Sequence, residues 1–528
     1  MNLHAGVSTT LRPTSPAAVR AMLEDGGELA LVDLREELTF SQNHLLWARN
    51  VPLSRLELRF AALVPRKSTR IVLIDDNDGL AQRAAAVLAR AGYTDVSYLD
   101  GGLTAWEQAG FVTFSGVHVP SKAFGEFVEH DSGTPSVSAK ELDALMRDGT
   151  KLVVLDSRPF DEYTRVSIPT GIDVPGAELV LRARDIAPAP DTTIVVNCAG
   201  RTRSIIGAQS LINAGVPNKV MALRNGTMGW HLAGLTCASG KSDRFPPFSK
   251  EGLAWAKQTA QQVADKFGVQ HTDRAAVEQW RKDDSRTTYV FDVRDPDEYK
   301  AGHFPDALSA PGGQLVQATD IYAGVLGARL VLSDDREVRA LMTAAWLKQM
   351  GWRDIFVLVE AGSEKGEPAP RLLGTPSDKA VDAPEVLAID DVTVIDLSTS
   401  PHYRRGHIPG AWFAIRARLA RALEKIAPKG TVILTSKDGV LASLAVDETQ
   451  ALTECPVRWL KGGNAAWAGA GFPLSTSEKM ADEPLDVWLK PYERADDNEA
   501  AMNAYLSWEV DLLERIKQDG TTHFLHAR

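Results

Sequence analysis

One pattern occurs four times along this chain of 528 residues, and it limits the possible folds more than any other feature. In each copy an apolar run ends in an aspartate, and these aspartates are Asp33, Asp156, Asp292 and Asp396. A second apolar run leads to a polar position, which is occupied by Asp75, Cys198, Asp334 and Ser436. The offsets between the two positions are 42, 42, 42 and 40 residues. Such constant spacing indicates four copies of one structural unit.

Each copy continues with a helix-forming stretch, and three copies then carry a glycine-containing turn followed by a tryptophan, namely Trp106, Trp230 and Trp467. Short apolar runs that alternate with helical stretches are typical of a parallel β-sheet flanked by helices. At roughly 100 residues, each copy is the size of an independent domain. We therefore predict an α/β protein with four tandem domains, over residues 10–118, 134–238, 268–366 and 376–475.

Two further helices are predicted outside the repeats. The stretch KEGLAWAKQTAQQVADKF, at 250–267, reads as a linker helix between the second and third copies. Residues 480–528 read as a helical tail with an amphipathic stretch, NAYLSWEVDLLERIKQ. We expect this tail to pack on a neighbouring domain, and a contact in a homodimer is the alternative.

Composition excludes several classes of protein. The chain has 69 acidic and 58 basic residues and a net charge of −11, which argues against a nucleic-acid partner. No apolar run approaches the ~20 residues of a membrane span, and the first residues do not read as an export signal. Only three cysteines occur, which favours a reducing, cytoplasmic location over a disulfide scaffold. No metal-ligand spacing or nucleotide-binding motif is present, so we expect neither a metal nor a cofactor.

Cys198 is the one cysteine at the repeated polar position, where it begins the sequence CAGRTRS. A cysteine between a parallel strand and a helix lies at the sheet edge where ligands bind, and it faces the unpaired N–H groups that start the helix. An ordinary thiol is only a few per cent ionised at neutral pH. These N–H groups and two nearby arginines would therefore favour the reactive thiolate and hold a small anion. The candidate binding residues of this loop are Ala199, Gly200, Arg201, Thr202, Arg203 and Ser204.

The repeated pattern resembles the rhodanese family of sulfurtransferases over most of the chain. The family's D-x-R-x-x-x-E-[YF] motif, leading to G-H-I-P-G-A, is present as DVRDPDEYKAGHFPDA in copy three, as DSRPFDEY in copy two and in part as HYRRGHIPGAW in copy four. The family's catalytic cysteine opens a short loop between a buried strand and a helix, and Cys198 matches that position. The resemblance implies four rhodanese-like domains, with the second catalytic and the other three inactive.

The loop and the resemblance together predict a sulfurtransferase. It would take sulfane sulfur from thiosulfate, form a persulfide on Cys198 and pass the sulfur to a thiol acceptor or to cyanide. Mercaptopyruvate and glutathione persulfide stay open as donors. One alternative is a non-catalytic sulfur carrier or scaffold that receives persulfide from a partner protein. A second is phosphatase or arsenate reductase chemistry, which relatives of this fold carry out with a longer cysteine loop.

Other residues receive structural or secondary roles. Asp156 and Arg158 recur as D-x-R in copies without a cysteine, which favours an ion pair that supports the fold. Trp230 also recurs and is predicted to pack in the core. Arg182 is a further candidate for binding the donor, from across a domain interface. Cys237 and Cys455 are interpreted as inert thiols.

Overall fold

The computed structural model describes residues 11–494 and 498–526 of the chain. Four five-stranded sheets are present in this part, one in each repeat, and we number the repeats domains 1 to 4. In every sheet the strands are parallel and, counted along each domain, lie in the order 1-5-4-2-3. The prediction of an α/β protein with four parallel sheets flanked by helices is confirmed.

The elements follow the same sequence in all four domains. Domain 1 contains β1 (Arg12–Thr14), α1 (Pro16–Glu24), β2 (Ala30–Asp33), α2 (Glu37–Phe40), β3 (Arg49–Asn50), a 3-10 turn (Leu53–Arg55), α3 (Leu56–Leu63), β4 (Ile71–Ile74), α4 (Leu80–Arg90), β5 (Val96–Leu99) and α5 (Gly102–Gln108). Helix α6 (Val119–Ser132) leads to domain 2, which contains β6 (Ser136–Val137), α7 (Ala139–Arg147), β7 (Leu152–Asp156), α8 (Phe160–Arg165), β8 (Gly171–Asp173), α9 (Glu178–Ile186), β9 (Thr193–Asn197), α10 (Thr202–Asn213), β10 (Val220–Leu223) and α11 (Gly226–Leu232).

Helix α12 (Lys250–Lys266) leads to domain 3, which contains β11 (Gln270–Thr272), α13 (Arg274–Arg281), β12 (Thr288–Asp292), α14 (Pro296–Ala301), β13 (Leu308–Ser309), α15 (Gly312–Gln317), α16 (Thr319–Tyr322), β14 (Arg329–Ser333), α17 (Val338–Gln349) and β15 (Ile355–Leu358). Domain 4 contains β16 (Ala380–Val381), α18 (Ala383–Leu387), β17 (Val392–Asp396), α19 (Ser400–Arg405), β18 (Trp412–Phe413), a 3-10 turn (Arg416–Arg418), α20 (Leu419–Ile426), β19 (Thr431–Thr435), α21 (Val440–Gln450), β20 (Val457–Leu460) and α22 (Gly463–Gly469). The C-terminal tail adds a 3-10 turn (Pro491–Glu493) and α23 (Asn498–Asp519).

The apolar runs of the sequence form the middle of each sheet. All four residues of β4 are buried, as are four of the five residues of β9. Strands covered on both faces need such continuous apolar runs, because helices pack on either side of a parallel sheet. The repeated polar residues follow these strands, so they lie at the carboxyl edge, where α/β sheets bind their ligands.

The linker and tail helices predicted from the sequence are present as α12 and α23. Helix α6, at the junction of domains 1 and 2, has no counterpart in the sequence analysis. It packs against α10 and α23, and nine of its residues between Val119 and Val128 are buried. A helix buried all round lacks the one-sided apolar pattern by which amphipathic helices are recognised.

The aspartate that ends the second strand holds a buried arginine in three of the domains. In domain 2, Nε and Nη2 of Arg158 donate to the two carboxylate oxygens of Asp156 at 2.8 and 2.7 Å. In domain 3, Nε and Nη2 of Arg294 donate to the carboxylate oxygens of Asp292 in the same way, at 2.9 and 2.6 Å. This bidentate pair satisfies a fully buried carboxylate and fixes the chain where it leaves the strand.

The domains are grouped into two compact units. Most of domain 1 forms one unit with domain 4, and domains 2 and 3 form the other together with residues 20–29, α6, α12 and the tail from Leu489 onward. In the first unit, Arg416 donates to both carboxylate oxygens of Glu57, at 2.9 and 2.7 Å. In the second unit, Arg339 of domain 3 donates to Glu178 of domain 2 at 2.8 Å. Buried arginine–carboxylate pairs therefore join domains that are not all adjacent in sequence.

Replacing one member of the repeated ion pair should destabilise a domain that has no cysteine. Arg294→Met leaves the buried carboxylate of Asp292 without its cation, and we expect the free energy of unfolding to fall by about 3–5 kcal/mol. Chemical denaturation measures this change. Lys300→Met is the matched control, because Lys300 pairs with Glu367 at the exposed surface, and it should cost no more than about 1 kcal/mol. Equal effects of the two substitutions would contradict this role of the pair.

Candidate active site

Cys198 lies directly after β9 and before α10, at the carboxyl edge of the domain 2 sheet. Its side chain is buried, with 2% of its surface exposed. The thiol donates to Oγ of Ser204 at 3.5 Å, and the Ser204 hydroxyl donates in turn to the carbonyl of Arg201 at 2.8 Å. Ser204 thus links the first residue of the loop to its middle.

The turn that begins α11 packs against the cysteine loop and is hydrogen-bonded to it. The amide of Thr227 donates to the carbonyl of Cys198 at 2.9 Å, and that of Met228 donates to Ala199 at 3.0 Å. The approach requires Gly226, whose φ is +55°, because a Cβ there would lie 2.2 Å from the Cys198 carbonyl oxygen. Gly102 and Gly463 make the same close approach in domains 1 and 4, which explains the glycine that precedes the repeated tryptophan.

The domains without a cysteine indicate what this loop binds. In domain 1 the Asp75 carboxylate accepts hydrogen bonds from the amides of Asn77 and Ala81, at 3.0 and 2.9 Å. In domain 3 the Asp334 carboxylate accepts them from the amides of Arg336, Arg339 and Ala340, at 3.1, 2.9 and 3.2 Å. A negative charge at the repeated polar position is therefore held by amides of the loop and of the helix start.

The offsets in these two domains map onto the cysteine loop. The amides that both carboxylates share lie two and six residues after the aspartate. The same offsets from Cys198 correspond to Gly200 and Ser204. We expect their amides to face the sulfur, so that a thiolate or persulfide there receives the hydrogen bonds that the carboxylates receive elsewhere.

Arg201 is turned toward helix α6. Its Nε and Nη2 donate to the two carboxylate oxygens of Glu126, both at 2.7 Å, and it also pairs with Glu129. A weaker bond of 3.4 Å joins it to Oδ1 of Asn225. The negative charges of Glu126 and Glu129 thus offset the positive charge of Arg201, which the sequence predicts to bind the donor.

Arg203 holds a second carboxylate. Its guanidinium donates to both oxygens of Glu162, at 3.2 and 2.8 Å, and to Gln314 of domain 3 at 3.1 Å. Lys490 of the tail donates to the same carboxylate at 3.0 Å. Burial alone would raise the pKa of Glu162, but Arg203 and Lys490 outweigh it and hold the pKa far below its usual range. Two cations thus share one carboxylate beside the cysteine loop.

The other predicted residues have fixed positions in domain 2. Asp156 also accepts from Nδ2 of Asn197, the residue before Cys198, at 2.8 Å. The indole of Trp230 donates to the carbonyl of Thr236 at 3.0 Å and lies in the core. Arg182 donates to Glu178 at 2.9 Å, and its guanidinium stacks on two phenylalanine rings of the segment before α12. The contacts of Arg182 are thus with residues other than those of the cysteine loop.

Sequence reasoning missed the residues that the tail and α6 bring to this loop. A methyl group placed on Gly200 would lie 3.1 Å from Oε2 of Glu509 and 3.5 Å from the ring of Tyr505, both on α23. Lys122 of α6 pairs with Glu509 at 3.0 Å. These residues lie far from Cys198 along the chain, and no local pattern marks them.

Within residues 11–494 and 498–526, no group of three or more histidine, cysteine, aspartate or glutamate side chains is arranged to hold a metal ion. All three cysteines are free thiols. Among the helices of the same described part, none has the length and apolar character needed to cross a bilayer.

Comparison with known proteins agrees with this architecture. A crystal structure of thiosulfate sulfurtransferase from Pseudomonas aeruginosa superposes with a TM-score of 0.95 and 48% identity, over 98% of this chain and 99% of that chain. An uncharacterized protein of Synechocystis sp. is 33% identical over 113 residues, which are 21% of this chain and 62% of that protein. One of Bacillus subtilis is 37% identical over 76 residues, which are 14% of this chain and 59% of that protein. The chain thus spans about three fifths of the length of these two curated relatives.

The family model for the rhodanese-like domain matches the chain four times, at residues 15–109, 138–233, 274–365 and 380–470. These four matches fall on the four parallel sheets, and together they cover more than half of the sequence. The chain belongs to the rhodanese family, with four tandem rhodanese-like domains.

Proposed function

We propose that this protein is a sulfurtransferase that moves sulfane sulfur from thiosulfate, or a related anionic donor, to a thiol acceptor through a persulfide on Cys198. The observation that carries the proposal is the shared loop. It binds a carboxylate in domains 1 and 3 and presents a thiol at the same position in domain 2. The likeness to a thiosulfate sulfurtransferase over nearly the whole chain supports the same assignment.

The first half-reaction loads the cysteine. The Cys198 thiolate attacks the outer sulfur of thiosulfate, the sulfur–sulfur bond of the donor breaks, and sulfite leaves with the bonding electrons. A persulfide anion remains on Cys198. The amides of Gly200 and Ser204 stabilise it as the amides of domains 1 and 3 stabilise carboxylates.

The second half-reaction returns the enzyme to its starting state. An acceptor thiolate, or cyanide in an assay, attacks the outer sulfur of the persulfide. The bond between the two sulfurs breaks and Cys198 leaves as a thiolate, while the acceptor becomes a persulfide or thiocyanate. No electrons are gained or lost overall, so the scheme needs no external oxidant or reductant.

One group of charges beside the loop favours an anionic donor. In it, Arg203 and Lys490 contribute two positive charges and Glu162 one negative charge, which leaves this group of three with one net positive charge. Arg201 has carboxylate partners in Glu126 and Glu129, so in this proposal it fixes the loop to α6. Since free thiolates persist in a reducing compartment, we place the reaction in the cytoplasm.

Loading of the cysteine can be measured directly by intact mass spectrometry. After incubation with thiosulfate, the wild-type protein should gain the mass of one sulfur and lose it again on addition of cyanide. Cys198→Ala should gain nothing, because it lacks the nucleophile. Cys237→Ala and Cys455→Ala serve as controls and should load like the wild type, since both thiols lie in structural positions.

The outcome of this experiment separates the candidate functions. Loading from a protein persulfide but not from small donors would overturn the enzyme assignment in favour of a sulfur carrier. A wild-type protein that accepts sulfur from no donor would contradict sulfur transfer altogether.

The charge of Arg203 can be tested by steady-state kinetics. Arg203→Met removes a cation beside the donor and leaves Glu162 with Lys490 alone, so we expect kcat/KM for thiosulfate to fall about 10- to 100-fold. Arg203→Lys keeps the positive charge but not the bidentate hydrogen bonding to Glu162, so its kcat/KM should fall less. The exposed Arg224, whose guanidinium donates to the hydroxyl of Ser136, provides the control Arg224→Met. If Arg203→Met retains wild-type kcat/KM, the cation has no part in donor binding.

A further inference from the structure

The C-terminal end of the chain packs on the cysteine loop. We call residues 489–494 and helix α23 the C-terminal cover. Met502 and Leu506 of the cover form an apolar cluster with Met228 of domain 2, and Tyr492 and Tyr505 pack against it. Met228 also lies against Gly200, with its methyl carbon 3.0 Å from the position of a Cβ there. The cover is therefore packed on the cysteine loop itself.

Tyr505 occupies a fixed position above the loop. Its hydroxyl donates to Oε1 of Glu509 at 3.1 Å, and Glu509 is fully buried. Lys122 pairs with the same oxygen and lies 5.4 Å from the centre of the Tyr505 ring. Burial raises the pKa of Tyr505 well above its usual value, and the charge of Cys198 is among the groups that contribute. The ring thus stands close to both Gly200 and the cysteine.

Tyr492 approaches the loop from the other part of the cover. Its ring packs in the apolar cluster, and Nζ of Lys490 lies 5.8 Å from the centre of that ring. Burial is the main reason that the pKa of Tyr492 is raised, and the charges of Glu162 and Arg203 modify it in opposite directions. Tyr492 therefore lies beside the cations that favour an anionic donor.

Four polar atoms of the cover are buried without a hydrogen-bond partner among the described residues, namely the Tyr492 hydroxyl, Oδ1 of Asn498, Nε1 of Trp508 and Oε2 of Glu509. Two of them, on Tyr492 and Glu509, belong to residues that pack at the cysteine loop or on Met228 beside it. Buried polar groups in native proteins are nearly always paired, so unpaired ones at a candidate active site point to a bound ligand. One of the two is a hydrogen-bond donor, which suits the oxygens of a small anion. The other is an acceptor, which suits the S–H group of a small thiol.

Building on the proposed function, we propose that the C-terminal cover completes the Cys198 site and that Tyr492 and Tyr505 restrict it to small sulfur donors. The Tyr492 hydroxyl donates to an oxygen of thiosulfate held beside Arg203. The Tyr505 ring closes the side next to Gly200, where a tripeptide persulfide such as glutathione persulfide would need room. Of the donors that the sequence leaves open, this site therefore accepts anions of the size of thiosulfate and excludes glutathione persulfide.

The test compares two donors on the full-length protein. Initial rates are measured with thiosulfate and with glutathione persulfide, using cyanide as the common acceptor. Tyr505→Ala removes the ring next to Gly200, and we expect kcat/KM for glutathione persulfide to rise about tenfold relative to that for thiosulfate, since a steric exclusion is relieved. Tyr492→Phe removes only a hydroxyl, and we expect KM for thiosulfate to rise about fivefold with kcat unchanged.

Val510 provides the control, because it lies on the same helix with half of its surface exposed. Val510→Ala should leave both donors unaffected. An unchanged donor ratio in Tyr505→Ala together with an unchanged KM in Tyr492→Phe would overturn the inference. A wild-type preference for glutathione persulfide would also overturn it, while leaving the persulfide mechanism intact. Failure of both donors to load wild-type Cys198 would instead count against the proposed function. Tyr492→Phe keeps the ring and its packing, so it tests the inference even if Tyr505→Ala does not fold.

Discussion

Hydrogen bonding between a polar side chain and backbone amides at the end of a central strand is the interaction on which this architecture depends. Each repeat places a polar residue there, between a buried strand and the start of a helix. Two repeats satisfy the amides with an aspartate carboxylate, at distances of 2.9 to 3.2 Å. Domain 4 places the Ser436 hydroxyl there, 3.4 Å from the amide of Ala442. Domain 2 alone places a thiol at this position, and a cysteine thiolate can act both as the nucleophile that accepts a sulfur atom and as the leaving group that releases it.

Comparison among the repeats distinguishes the residues that stabilise the loop in every domain from those that domain 2 alone adds. Arg203 follows Cys198 by five residues and pairs with Glu162, and Arg339 follows Asp334 by the same interval and pairs with Glu298. A domain without a nucleophile therefore keeps the same arginine–glutamate pair, which indicates that the pair shapes the loop in both domains, in addition to the role in donor binding that we propose for Arg203. What domain 2 adds is the thiol, the extra cation Lys490 and the residues that the C-terminal cover brings to Gly200.

The sequence predicted the parts of the fold that depend on local pattern. Continuous apolar runs identified the central strands, and constant offsets identified the four domains. The two-residue strands Arg49–Asn50 and Ser136–Val137 were missed because they are too short to carry an apolar run. Helix α6 was missed because it is buried all round and contains Gly125, which allows close packing on Thr202. Glu126 and Glu509 come from segments 75 and 307 residues away from their partners, so only the folded chain brings them to the loop.

The most direct test of the account is a crystal structure of the protein after exposure to thiosulfate. If the loop of domain 2 holds a transferred sulfur as its counterparts hold carboxylates, Cys198 will carry one additional sulfur atom. That atom will lie within hydrogen-bond distance of the amides of Gly200 and Ser204, beneath the C-terminal cover. An unmodified Cys198, or an added sulfur directed away from these amides, would contradict the central claim.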